Sequence, residues 1–145
     1  MRTFYIFKVN REYYNLTKDM PFNLYKAYLN IKVSTKENLR ILSNEYYSFT
    51  ERFDKKSLNE FIFNRYKDND CYNCYGNTHM FNNYYTDEVS KLIVNNSFMI
   101  LKCNVPNSSF LSVLVNIPYL FIVDFEKEDY FWLSNLKNLR VVYDS

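Results

Sequence analysis

The 145-residue chain contains one glycine, three prolines, three cysteines and one histidine. Each scarcity excludes something. Phosphate-cradling loops and flexible linkers need residues that accept positive φ, so a lone Gly76 leaves no place for either. A single His79 would have to act as any imidazole base, and no Gly-x-Ser-x-Gly motif surrounds it. Long apolar runs are missing as well. The longest, Phe110 to Phe125, is broken by Ser112, Asn116 and Pro118, and Met1-Arg2-Thr3-Phe4 leads into alternating residues, not a signal segment. The expectation is a cytoplasmic protein with reduced thiols and no membrane partner.

Charge of one sign is also lacking. The balance of 18 basic and 16 acidic residues, net +2, is too even for an electrostatic footprint on nucleic acid or an anionic membrane. What is abundant is apolar and aromatic material, 48% hydrophobic and 20% aromatic with 15 Tyr and 13 Phe, so the chain can bury a ring-rich core. Its length suits one domain spanning residues 1–145.

Periodicity predicts a mixed α/β domain. Thr3 to Asn10 alternates Phe4, Ile6 and Lys8 against Tyr5, Phe7 and Val9, rings on both faces, which marks an interior strand. Asp19 followed by Pro21 signals a helix from Pro21 to Lys32, with Phe22, Leu24, Tyr25, Tyr28, Leu29 and Ile31 inward. Ser34-Thr35-Lys36-Glu37 reads as a capping box before a stripe of Leu39, Leu42, Tyr46, Phe49 and Phe53, which leaves Asn44, Glu45, Ser48 and Glu51 outside. Ser57-Leu58-Asn59-Glu60 repeats the capping pattern ahead of a short helix, whereas Lys67 to Tyr85 loses periodicity and reads as a long polar loop. Asn95-Asn96 predicts a hairpin between Ser90–Val94 and Ser97–Cys103, and Asn107 or Ser108 can cap a helix ended by Pro118. Tyr119 to Phe125 and Tyr130 to Leu133, parted by an acidic turn, complete a central mixed sheet of about five strands, with Phe98–Cys103 and Tyr119–Phe125 parallel.

Candidate chemistry is sparse. Cys71-Tyr72-Asn73-Cys74 with His79 and the distant Cys103 has half of a zinc pattern, and it supports an alternative reading as a Cys/His metal-binding or thiol-dependent protein. Asp124, Glu126, Glu128 and Asp129 invite an acid–base reading, but three of them fall in the turn, where solvated carboxylates are routine. Arg11, Tyr13, Tyr14 and Lys18 interleave rings and cations. With so balanced a net charge, that pattern suits a protein interface better than single-stranded nucleic acid.

Three segments resemble one family. Phe4-Tyr5-Ile6-Phe7-Lys8-Val9-Asn10-Arg11-Glu12-Tyr13, the run Phe22-Asn23-Leu24-Tyr25 on to Tyr28, and Leu120-Phe121-Ile122-Val123-Asp124-Phe125 with Tyr130-Phe131-Trp132-Leu133 are similar to the SirA family. These are bacterial sporulation inhibitors of replication that bind the initiator DnaA. The order holds from Thr3 to Leu133, although Phe131 stands where the family has Gly and Ser134-Asn135 where it has Asn-Pro. The resemblance implies one α/β domain and a non-enzymatic inhibitor that occupies the DnaA N-terminal domain, with no cofactor, metal, nucleic acid or small-molecule substrate. It implies a partner surface of Tyr13, Tyr14 and Lys18 after the first strand, joined by Asn44, Glu45 and Ser48 on a helix. These form one patch only if the fold brings residue 13 near residue 45. A module of the same fold serving a different regulatory partner is a second alternative.

Overall fold

The computed structural model describes residues 1–33 and 39–135, with side chains of 39–42 set aside. Among these residues one sheet of eight strands runs in the order β3-β4-β5-β6-β1-β7-β8, with β2 paired to β1. The strands are β1 (Arg2–Val9), β2 (Thr50–Glu51), β3 (Tyr72–Tyr75), β4 (Thr78–Asn83), β5 (Glu88–Val94), β6 (Met99–Cys103), β7 (Leu120–Asp124) and β8 (Asp129–Trp132). The helices are α1 (Arg11–Thr17), α2 (Pro21–Val33), α3 (Leu39–Phe49), α4 (Lys55–Tyr66) and α5 (Ser109–Leu114).

The expected mixed sheet of about five strands is therefore corrected to an antiparallel sheet of eight, because every strand pairing runs antiparallel. Strands β6 and β7 do run in the same direction. They are not neighbours, however, because β1 lies between them and pairs antiparallel with both. The strands beyond the expected five are β2, only two residues long, and the β3–β4 hairpin inside the segment read as a polar loop. In that hairpin Tyr75 pairs with Thr78 across Gly76-Asn77, and Gly76 sits at φ 62, a conformation its missing Cβ makes inexpensive.

Alternation in β1 sorts the two cores. Phe4 and Ile6 join Leu120 and Ile122 of β7 against α4 and α5, where Ile62, Phe110 and Leu114 are buried. Phe7 and Val9 join Phe121 and Val123 on the opposite face, against Leu24, Tyr25 and Tyr28 of α2 and Phe49 of α3. All five β7 residues are buried, which explains the unbroken apolar run Leu120–Val123 ahead of Asp124.

Helix limits follow local chemistry. Ser108 caps α5 as expected, its hydroxyl accepting the Phe110 N–H. The buried Glu88 carboxylate then receives the Ser109 N–H at 2.8 Å and the Ser109 hydroxyl at 2.6 Å, binding this helix start to β5. Asp54, not Ser57, caps α4: its carboxylate takes the Ser57 N–H at 3.2 Å and the Ser57 hydroxyl at 3.0 Å. These two bonds hold the Asp54 carboxyl below its usual range, the backbone one foremost. On α2 Leu24, Tyr25 and Tyr28 are buried and Leu29 and Ile31 pack half-buried against them, while Phe22 is exposed. The capping box at residues 34–37 lies outside the described residues. Phe53 is buried, but it follows β2 and does not continue the α3 stripe.

Candidate protein-interaction surface

Helix α1 was not legible as a helix, because its seven residues show no apolar stripe. Asn10 builds it. Its Oδ1 accepts the Tyr13 N–H at 2.8 Å, its Nδ2 donates to the Ser48 carbonyl at 2.9 Å, and its own N–H donates to the Phe49 carbonyl at 2.9 Å. One residue thus starts α1 and ties it to the C-terminal end of α3. Buried Thr17 donates its hydroxyl to the Tyr13 carbonyl at 2.7 Å and turns the helix's other side to the protein.

The two tyrosines diverge from there. Tyr13 lies over Phe49, ring centroids 5.0 Å apart and planes at 26°, which places it beside the end of α3. Tyr14 wedges between Tyr119 and Trp132, 4.7 Å from each, and meets the indole edge-on at 85°. Tyr119 is held at φ 64, a strained value for a bulky residue, and its carbonyl accepts the Val9 N–H at 2.9 Å. Both Tyr13 and Tyr14 are half-buried, so each supports the fold as well as offering an edge to solvent. Lys18 is exposed at the C-cap, where its N–H closes α1 on the Tyr14 carbonyl at 2.8 Å.

On α3, Asn44, Glu45 and Ser48 are all exposed, as the wheel implied, while Tyr46 and Phe49 point inward. Ser48 donates its hydroxyl back to the Glu45 carbonyl. Tyr13 and Ser48 are joined through Asn10 and Phe49. Tyr14 faces the Trp132 side, and Lys18 lies at the far end of α1, five residues or roughly 7–8 Å along the axis from Tyr13.

Sequence reasoning overlooked Leu16, Met20 and Phe22, which are 74%, 55% and 53% exposed around the α1–α2 junction. Their signal was available, since Leu16 follows Tyr13 by three residues in an otherwise polar stretch. Apolar side chains left in water beside half-buried rings are the composition of a protein contact, not of a catalytic cleft.

The other candidates resolve into structure. His79 is fully buried; its Nε2 donates to Asn59 Oδ1 at 2.8 Å, so its Nδ1 accepts the Tyr72 hydroxyl at 2.7 Å. Burial pulls its pKa down to about 4 and pushes the Tyr72 phenol up. Cys74 stands opposite His79 in the β3–β4 ladder, but both ring nitrogens are already engaged. Among the described residues no three His, Cys, Asp or Glu side chains converge as metal ligands. Asp124 is buried, with its Oδ2 2.9 Å from Arg2 Nε and its Oδ1 receiving the Lys127 N–H at 3.1 Å. It anchors the β7–β8 turn. No helix among the described residues is long and apolar enough to cross a membrane.

Comparison with known proteins adds one match. Residues 2–137 fit the family of the sporulation inhibitor of replication protein SirA. No curated protein matches the chain.

Proposed function

Because the chain belongs to the SirA family of sporulation inhibitors of replication, we propose that it acts in the cytoplasm, without catalysis, by binding the N-terminal domain of the initiator DnaA. The surface is that of α1 and the C-terminal half of α3, with Tyr13, Tyr14, Lys18, Asn44, Glu45 and Ser48 as its contacts. The observation that carries this reading is the double use of Asn10, which makes α1 and the end of α3 one rigid ledge. A preformed ledge loses little conformational entropy when a partner docks, and tyrosine supplies wide contact area with few rotatable bonds. Leu16 and Met20 extend the same ledge with apolar anchors.

Titration calorimetry with the isolated DnaA N-terminal domain tests the reading. The expected result is a 1:1 complex weakened by Tyr13→Ala. No heat of binding at roughly tens of micromolar excludes DnaA as the partner. A pull-down from the native cell then identifies any other regulator that uses this fold.

A further inference from the structure

On the α2–α3 side of the sheet an open cavity of about 450 Å³ lies between β1, α2 and α3 and is bounded by the turns after β5 and β7. Its size falls in the range of small-molecule sites, roughly 300–1,000 Å³. Phe7, Tyr28, Ile31, Phe98 and Phe125 are among its lining, so the interior is apolar and ring-lined. The opposite wall is fixed: Tyr46 donates its hydroxyl to the Ser97 carbonyl, and the Tyr47 and Ser97 hydroxyls bond each other. Burial pushes the Tyr46 phenol well up, so it stays neutral. Among the described residues no carboxylate lines the cavity.

Among the described lining residues, Lys32 carries the one charge. The exposed Lys32 ammonium lies 4.4 Å from the Phe125 ring centroid and 5.4 Å from that of Tyr5, and no carboxylate among the described residues forms an ion pair with it. A cation held over rings beside an apolar, ring-lined pocket matches a ligand that carries a flat aromatic body and one negative group. Sugars would strand their hydroxyls against the rings, and cations would meet Lys32.

We propose that this cavity binds a planar aromatic anion, its rings bedded among Phe7, Phe98 and Phe125 and its carboxylate or sulfonate at the Lys32 ammonium. Nothing in the partner surface on α1 requires such a ligand, so the two readings stand or fall separately.

The test is a fluorescence titration with two probes of similar shape, 8-anilinonaphthalene-1-sulfonate and the uncharged N-phenyl-1-naphthylamine. Wild-type protein is expected to bind the sulfonate at one saturable site. Lys32→Met weakens the sulfonate by about fivefold to tenfold and leaves the uncharged probe within about twofold. Ser43→Trp, which places an indole in the cavity wall, lowers the affinity for both. Lys32 and Ser43 are exposed, so circular dichroism and thermal midpoints should match wild type. Lys32→Gln provides a second charge-free variant should Met alter the lip. Absence of a saturable site, sulfonate affinity equal to wild type in both Lys32 variants, or undiminished binding by Ser43→Trp overturns the proposal.

Discussion

Asn10 and Ser48 stand 38 positions apart in sequence, yet the Asn10 Nδ2 donates to the Ser48 carbonyl at 2.9 Å while the same side chain caps α1. The side-chain amide thus adds to the Asn10 N–H bond to the Phe49 carbonyl and the Tyr13–Phe49 ring contact in placing Tyr13 beside Ser48.

This relationship makes a separable prediction. Asn10→Ala removes both the cap and the tie and is expected to cost about 1–2 kcal/mol in urea denaturation. Asn10→Asp keeps the cap acceptor but cannot donate to Ser48. It should retain most of the stability yet weaken partner affinity, because α1 keeps its backbone bond to Phe49 but loses the side-chain tie to Ser48. Affinity that tracks stability equally in both variants would dismiss the ledge.

The Arg2–Asp124 pair joins the start of β1 to the end of β7. Asp124 is buried at its carboxylate, whereas the Arg2 side chain is 37% exposed, and its second bond reaches the exposed Asp129 at 3.0 Å. The Asp124 bond, followed by that to Asp129, raises the already high Arg2 pKa. Arg2→Met strands the Asp124 charge and should cost roughly 1–3 kcal/mol, less than for a fully buried pair because water reaches the vacated side. Adding Asp124→Asn to that variant is expected to recover part of the loss, and a urea-denaturation double-mutant cycle measures the coupling.

Much of the fold was legible because burial on both faces leaves a strong pattern. Strand β7 reads as an unbroken apolar run, β1 as alternation of two core faces, and Asn95-Asn96 as the turn between β5 and β6. The β3–β4 hairpin was not legible, because its outward residues are Asn, Met and Tyr and its inward ones include a histidine. Only Gly76 marked it. Helix α1 was hidden for a related reason: Tyr13, Tyr14 and Thr17 make its inner contacts, two of them adjacent in sequence and one polar. The candidate site was partly legible, since Asn44, Glu45 and Ser48 fall on the polar face of α3. What joins them to Tyr13 is a side-chain bond across 38 positions, which no local spacing encodes.

His79 predicts an acid-side loss of stability. Its folded pKa, drawn down by burial to about 4, lies below the ordinary 6.5. The unfolded chain then takes up a proton in a range where the folded one does not. Stability is full above pH 6.5 and declines as pH falls toward 4, by roughly 3 kcal/mol in all. His79→Gln, which can still donate and accept, should flatten the slope between pH 5 and 7 in thermal melts, above the range where most carboxylates titrate. An unchanged slope in that variant would show that another group carries the dependence.

The candidate surface is best separated from the fold through residues whose side chains are exposed. Tyr13→Ala is ambiguous by itself, because the ring also covers Phe49 and its loss should cost about 1–3 kcal/mol. Lys18, Glu45 and Ser48 are exposed, so Lys18→Glu, Glu45→Arg and Ser48→Arg should each leave stability within about 0.5 kcal/mol of wild type. If α1 and the end of α3 are the docking ledge, Ser48→Arg, next to Tyr13, should weaken the DnaA N-terminal domain complex by at least about tenfold. Lys18→Glu, at the other end of α1, should act mainly on the association rate and its salt dependence. Calorimetry gives the first result and stopped-flow fluorescence the second. A complex that forms with wild-type affinity in all three variants would place the DnaA contact elsewhere on the chain, with the fold intact in every case.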